Sequence, residues 1–343
     1  MPPKPHIRDV ALHAGVSVGT VSNVLNRPDV VAEATRLRVE DAVAALHYVR
    51  NESARQLRRG QSRTVGLIVP DIANPFFTDV ARGVEDVVSA SGAMVIVCNS
   101  DNDADKEERY LTMLAEQQVL GVLHVPLGKP SAAVSRIQER GIPVVLLDYK
   151  GRSREQCSVS VNDVGGGQMA VAHLLDGGYR IVAFVGAGGT PLRQVADRLS
   201  GAHRAMTAAG RDAGDLHILP PTSLNVAGGV ASARALLALP RKRRPTAVAC
   251  VNDLLAIGML QEFVTRGLRI PDDMAIVGYD DIAFAAAAAI PLSSVRQPRN
   301  QLGRRAAELL IDEAWSDDHN HARLVFEPEL IVRESSRRAV RPN

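Results

Sequence analysis

Residues 7–26 read IRDVALHAGVSVGTVSNVLN, and their spacing sets the reading of the whole N-terminus. Ile7, Val10, Ala11 and Ala14 recur at intervals of three and four, one face of a short helix, and Gly15 stops it. Ser17 can cap the next helix, because its hydroxyl accepts a bond from an otherwise free backbone N–H. Val18, Val21, Val24 and Leu25 then repeat the helical spacing. A third segment, Glu33 to Leu46, offers Leu37, Val39, Val43, Ala44 and Leu46 to complete a three-helix miniature core. Two helices about a tight turn are common, so the spacing alone does not name a partner. The side chains of the second helix do more. Its start presents Ser17, Gly19, Thr20, Ser22 and Asn23, short groups that reach phosphates and base edges without the bulk that keeps a helix out of the major groove. A purely structural helix more often carries Glu, Lys or Arg there.

The chain has 343 residues, 46% of them hydrophobic and 23% charged, enough for two or three domains with their own cores. Residues 1–60 carry nine Lys/Arg against six Asp/Glu, and the remainder 31 against 32, so the small excess behind the net charge of +2 is N-terminal. That is a modest footprint for nucleic acid. No apolar run approaches the roughly 18 residues of a membrane span, and the polar, proline-containing start lacks the apolar stretch of an export signal. Cys98, Cys157 and Cys250 are far apart, odd in number and free of CxxC spacing. Neither a disulfide framework nor a metal site is expected, and a cytoplasmic location follows.

The full run from Ile7 to Phe77, with DVALHAGVS, TVSNVLN, TRLRVEDAVAALHY, NESARQL and TVGLIVPDIANPFF in order, resembles the lactose/galactose repressor (LacI/GalR) family. PTAVACVNDLLAIGML and IVGYDD continue the likeness over nearly the whole chain. The resemblance implies a helix-turn-helix DNA-binding domain joined to a two-lobed α/β effector domain of the periplasmic-binding-protein type, with parallel sheets. It places residues 1–50 in the DNA-binding domain and 51–62 in a hinge helix. Residues 63–343 form the effector and dimerisation domain, with one lobe over about 63–161 and 293–322 and the other over 162–292 and 323–343. By the same resemblance Val18 to Leu25 is the recognition helix. Val18, Gly19 and Asn23 stand where members vary with operator sequence, Ser17, Thr20 and Ser22 hold the helix on DNA, and Val21 packs inward. Asn51 to Arg59 is on composition a solvated, arginine-rich linker. The resemblance makes it a hinge that folds on DNA, bringing Asn51, Ala54 and Arg55 to the operator and Leu57 into the minor groove as a wedge.

Beyond Thr64, short apolar runs alternate with helical patterns, which indicates parallel sheets covered on both faces. The runs are Val65–Val69, Ala93–Cys98, Gly121–Val125, Val144–Leu147, Ile181–Val185, Ala247–Val251 and Met274–Gly278, with a break near Val161 to Asp163 that suggests two lobes. Such sheets bind ligands beyond the carboxyl ends of their strands. Asp71, Asn74, Phe76, Phe77, Asp148, Tyr149, Asn252, Asp253 and Asp280 follow strand ends and are the cleft candidates. Each taken alone is more often a cap or loop residue. The family likeness adds Arg198, in DRLSG, and Asn162, which stands where many members have aspartate. Carboxylates, amides, an arginine and a ring suit a sugar, with a nucleobase or other metabolite as alternatives. Trp315 is expected in a core or interface. An exported sugar-binding protein would share the two lobes but needs a leader where this chain has helices. An enzyme would need a nucleophile arrangement, an HExxH metal site or a phosphate cradle, and none is found. The expectation is a repressor, homodimeric on double-stranded operator DNA, controlled by a small-molecule effector and without a cofactor.

Overall fold

The computed structural model describes residues 5–48, 62–151, 153, 155–188, 192–316 and 318–337. Its contacts divide the chain into two units, Met1–Gln61 and Ser62–Asn343. The expected hinge residues Asn51, Ala54, Arg55 and Leu57 lie outside the described residues.

The first unit holds α1 (Ile7–Ala14), α2 (Val18–Asn26) and α3 (Glu33–Ala45). Gly15 ends α1 in the left-handed region at φ 63°, where a residue without a Cβ is unstrained. Ser17 caps α2, its Oγ accepting from Thr20 N at 3.0 Å. Val10, Ala11, Ala14, Val21, Val24, Val39 and Ala42 are buried together. Two residues correct the expected core: Leu37 is 50% exposed, and Ala44 faces solvent. Val39, Ala42, Val43 and Leu46 form the inward stripe at steps of three and four, and Leu37 and Ala44 fall between those steps, on the far side of a 3.6-residue turn.

The second unit holds two six-stranded sheets. The strands are β1 (Thr64–Val69), β2 (Met94–Asn99), β3 (Gly121–His124), β4 (Val144–Leu147), β5 (Ser158–Val161), β6 (Val182–Val185), β7 (Leu216–Leu219), β8 (Ala247–Cys250), β9 (Ala275–Asp280), β10 (Ser293–Arg296), β11 (Arg323–Phe326) and β12 (Glu329–Ile331). Their orders are β11-β5-β4-β3-β1-β2 and β12-β10-β9-β8-β6-β7. Every pairing is parallel except β10 with β12. The helices are α4 (Pro75–Ala90), α5 (Ala104–Glu116), α6 (Ala132–Gln138), α7 (Asp163–Asp176), α8 (Arg193–Ala208), α9 (Val226–Ala238), α10 (Asp253–Thr265), α11 (Ala283–Ala287) and α12 (Arg299–Trp315).

Sheet membership corrects the expected lobe boundaries. The chain crosses after β5, after β10 and after β11, so residues 293–296 belong to the second lobe and 323–326 to the first. The physical reason is that SSVR is not an apolar run. Ser293 and Ser294 are buried with bonded hydroxyls, Ser294 Oγ donating to Asp253 Oδ1 at 2.6 Å and Ser293 Oγ to the Arg333 carbonyl at 3.0 Å. Trp315 is 50% exposed at the end of α12, which removes it from the core.

The helices α7 and α8 cross at Gly167 and Gly201. A Cβ at Gly167 would sit 2.0 Å from the Arg198 carbonyl oxygen, and one at Gly201 2.0 Å from that of Val164. No flexible side chain is there to yield. We expect Gly167→Ala or Gly201→Ala to destabilise this unit by roughly 1–3 kcal/mol through overpacking. Denaturant titration followed by circular dichroism checks this, and unchanged midpoints would contradict the crossing.

Candidate functional site

In the first unit, the exposed face of α2 presents Ser17, Val18, Gly19 and Asn23, with Thr20 and Ser22 half-buried, while Val21 is fully buried. Ser17 Oγ and Thr20 Oγ1 lie 2.9 Å apart, and Asn26 Nδ2 donates to the Ser22 carbonyl at 2.8 Å and to Ser22 Oγ at 3.2 Å. A Cβ at Gly19 would meet only Ser17 Oγ at 3.6 Å, so this point of the helix is open to close approach. The string GVSVG at 15–19 has the letters of a hydrolase nucleophile turn. Ser17 instead starts a helix after another helix, with its hydroxyl engaged as a cap.

In the second unit a cleft of about 490 Å³, open to solvent, lies between the lobes. Asp71, Asn74, Phe76, Phe77, Asp148, Arg198, Asn252 and Asp280 line it. All stand at the carboxyl ends of strands or the starts of helices, apart from Arg198, which projects from α8. Three expected residues lie elsewhere. Tyr149 and Asn162 line a neighbouring cavity of about 940 Å³. Asp253 is fully buried, accepting from Ile282 N at 2.8 Å and from Ser294 Oγ, which fixes α10 to β10.

Arg198 is buried at the base of the cleft. Its Nε donates to Asp163 Oδ1 at 2.7 Å, one terminal nitrogen donates to the Val251 carbonyl at 2.6 Å, and the guanidinium lies 3.7 Å from the centre of the Tyr279 ring. Tyr279 also donates to Asp163 Oδ1 at 3.1 Å. Three asparagines each cap a helix with the side-chain oxygen and use the amide nitrogen elsewhere. Asn74 caps α4 and donates to Asp280 Oδ2 at 3.4 Å across the cleft. Asn252 caps α10 and donates to the Leu224 carbonyl at 2.9 Å. Asn162 caps α7 and donates to Glu327 Oε2 at 2.9 Å, a bond between two interlobe crossings that an aspartate could not donate.

Sequence reasoning missed Gln194, whose Nε2 donates to Asp148 Oδ2 at 2.9 Å and joins the lobes. It sits in the first turn of α8, where the apolar-run signal for strand ends does not look. Leu192, Val195, Leu224 and Val251 supply apolar wall, and Phe76 and Phe77 pack edge to face at 4.9 Å. Asp148 is held at φ 50° and Asp280 at φ 106°, conformations that side chains other than glycine rarely adopt and that cluster at binding sites.

The sequence and structure comparisons agree with this geometry. Residues 6–51 match the model of bacterial regulatory proteins of the lacI family, and residues 171–336 match a periplasmic binding protein-like domain. The HTH-type transcriptional repressor PurR of Photobacterium profundum is 35% identical over 96% of this chain and 98% of its own length. The chain belongs to the LacI family. The solved complex of the transcriptional regulator CelR with cellobiose is 32% identical, covering 96% of this chain and 99% of that one, with a TM-score of 0.70. A LacI-family regulator of Enterococcus faecium with bound ribose is 29% identical, covering 80% and 98%, with a TM-score of 0.73. This LacI-family protein is a DNA-binding transcriptional regulator with a small-molecule effector domain, and it is not an enzyme. Among the described residues, no helix is long and apolar enough to cross a membrane.

Burial sets the protonation of the site. It pushes Asp148 well above the ordinary carboxylate range, helped by the charge of Asp163, and raises Asp163 and Asp253 as well. Burial raises Asp280 to about 6, against the pull of Arg198. The folded chain therefore holds this proton through a pH range in which the unfolded chain has released it, so its contribution to stability falls as pH rises from about 4 to about 6. Asp280→Asn should gain stability relative to the parent over that range, by up to about 3 kcal/mol. Unfolding midpoints at about pH 3.5 and about pH 7, on either side of that range, check the sign, and a constant difference between the two proteins would contradict it.

Proposed function

We propose that this chain is a cytoplasmic repressor that binds a pseudo-palindromic operator as a homodimer and lets go when a neutral, hydroxyl-rich ligand, a sugar, fills the cleft. Residues 1–50 would read DNA, 51–62 would serve as the hinge, and the two lobes would bind effector and supply the dimer interface. One observation carries the ligand class. At the seam between the lobes, Asp148 Oδ1 and Gln194 Oε1 are buried without a hydrogen-bond partner. Asp148 holds its proton unusually firmly, so its free oxygen faces the ligand as an acceptor or as a hydroxyl donor depending on pH. A sugar hydroxyl answers both cases, since it donates and accepts, whereas a carboxylate only accepts and an ammonium only donates. An anion would also meet Asp148, Asp163 and Asp280 against a single arginine already engaged. The cellobiose and ribose complexes of the two relatives support the same class.

On DNA, Ser17, Thr20 and Ser22 would bond backbone and base edges, Val18 would touch a thymine methyl, and Asn23 would read a base edge. Asn51, Ala54 and Arg55 would accompany Leu57 at the minor groove.

Operator sites selected from random DNA by the purified protein, retested with a panel of sugars and nucleobases, examine this directly. The expected result is a pseudo-palindrome whose affinity drops with one sugar, and with a Gln194→Ala variant the sugar effect should weaken about tenfold or more. A response confined to a nucleobase would overturn the ligand class. Leu57→Ala should weaken specific binding while leaving salt-sensitive nonspecific binding intact, and equal loss of both would exclude a wedge.

A further inference from the structure

The pairing of β5 with β11 brings together four side chains that the effector cleft does not use. Cys157 is fully buried immediately before β5, Glu313 lies in the last turn of α12, and His319 and His321 lie in the connection that leads into β11. Each offers one donor atom, and the four atoms lie within 4.8 Å of one another. Cys157 Sγ is 3.2 Å from His319 Nε2 and 3.7 Å from His321 Nδ1, and Glu313 Oε2 is 3.7 and 3.8 Å from the same two nitrogens. Ligand bonds of about 2.0–2.3 Å to a tetrahedral zinc ion require separations of roughly 3.3–3.7 Å between donor atoms. The four observed edges already surround that value.

We propose that Cys157, Glu313, His319 and His321 form a structural Zn2+ site. The surrounding bonds have the form that a metal centre needs. His319 Nδ1 faces Asp312 Oδ2 at 2.6 Å, which fixes the tautomer that leaves Nε2 free to ligate, the carboxylate–histidine arrangement that orients imidazole ligands. Ala322 N donates to Cys157 Sγ at 3.3 Å, a bond that favours a thiolate. Glu313 Oε2 is buried without a hydrogen-bond partner. Four protein donors leave no open position for water or substrate, which makes the site structural rather than catalytic. Thiolate with two imidazoles selects a borderline-soft ion over magnesium or calcium.

The position gives the site work to do. It lies at the amino-terminal edge of β5 and β11, the edge opposite the effector cleft, and pins the connection between α12 and β11 just before the third interlobe crossing. The cysteine spacing gave no hint of it, because three of the four ligands come from a single His-Asn-His stretch and the helix before it, and only strand pairing brings Cys157 to them.

The test uses the full-length protein, stripped with chelator under reducing conditions and titrated with Zn2+ and Co2+. One equivalent of metal per chain is expected, and the Co2+ form should show a thiolate charge-transfer band that Cys157→Ser abolishes and Cys98→Ser retains. Asp312→Asn, at an exposed position that should not impair folding, should weaken Zn2+ binding about 10–100-fold. Zn2+ should also raise the thermal midpoint of the parent but not of His319→Gln. Equal metal binding by the parent and Cys157→Ser, or a Co2+ form without the thiolate band, would overturn the assignment and leave a hydrogen-bonded polar cluster.

Discussion

A buried guanidinium needs acceptors and compensating charge around it, and Arg198 obtains its partners from separate parts of the chain. Asp163 comes from the start of α7, the Val251 carbonyl from the end of β8, and Tyr279 and Asp280 from the end of β9. Removing one partner of such a pair leaves an uncompensated buried charge, at a cost of about 3–5 kcal/mol. The ends of these elements are thereby held in one arrangement, with the Gly167 and Gly201 crossing allowing α7 and α8 to approach closely enough for the bond to form. The floor of the cleft is cross-linked by these bonds without any ligand present.

The walls are different. Among the described residues the direct side-chain bonds between the lobes include Asn74 to Asp280, Gln194 to Asp148, and Arg299, which joins Asp79 of α4 to the carbonyls of Asp280 and Asp281. The first two sit in the cleft, where a ligand can exchange them for bonds of its own. A ligand that changes these contacts unequally in two lobe arrangements shifts the balance between them, which is the physical requirement for control at a distance. Helix caps serve this design economically, because Asn74, Asn162 and Asn252 each spend an oxygen on their own helix and a nitrogen on another segment.

Much of this was legible in the amino-acid sequence. The helices of the first unit appear through the three-and-four spacing of Val10, Ala14, Val21 and Val24, and seven strands through apolar runs, which in six of them reflect burial, whereas the run of β2 leaves Met94, Ile96 and Val97 exposed. Seven of the cleft residues were reachable because strand ends announce them, and Arg198 through the family likeness. What escaped did so for definite reasons. Serines at 293 and 294 bury their hydroxyls on specific partners, so β10 carries no hydrophobic signature, and the lobe boundary moved with it. Gln194 begins a helix rather than following a strand. Asp253 does follow a strand, but its carboxylate turns toward Ser294 instead of the cleft. The Cys157 cluster depends on the parallel pairing of β5 and β11, which no local pattern encodes.

Under the proposed function, the cleft and the DNA-binding domain share one equilibrium. Thermodynamic linkage makes this measurable from both directions, since an effector that changes operator affinity by some factor must have its own affinity changed by the same factor on operator. Calorimetric titration of the active sugar into the free protein and into its operator complex, beside operator titrations with and without the sugar, closes that cycle. Equal factors of about 5–150-fold are expected, with sugar binding weaker on the operator complex. Identical sugar affinity for the free and operator-bound protein would contradict it.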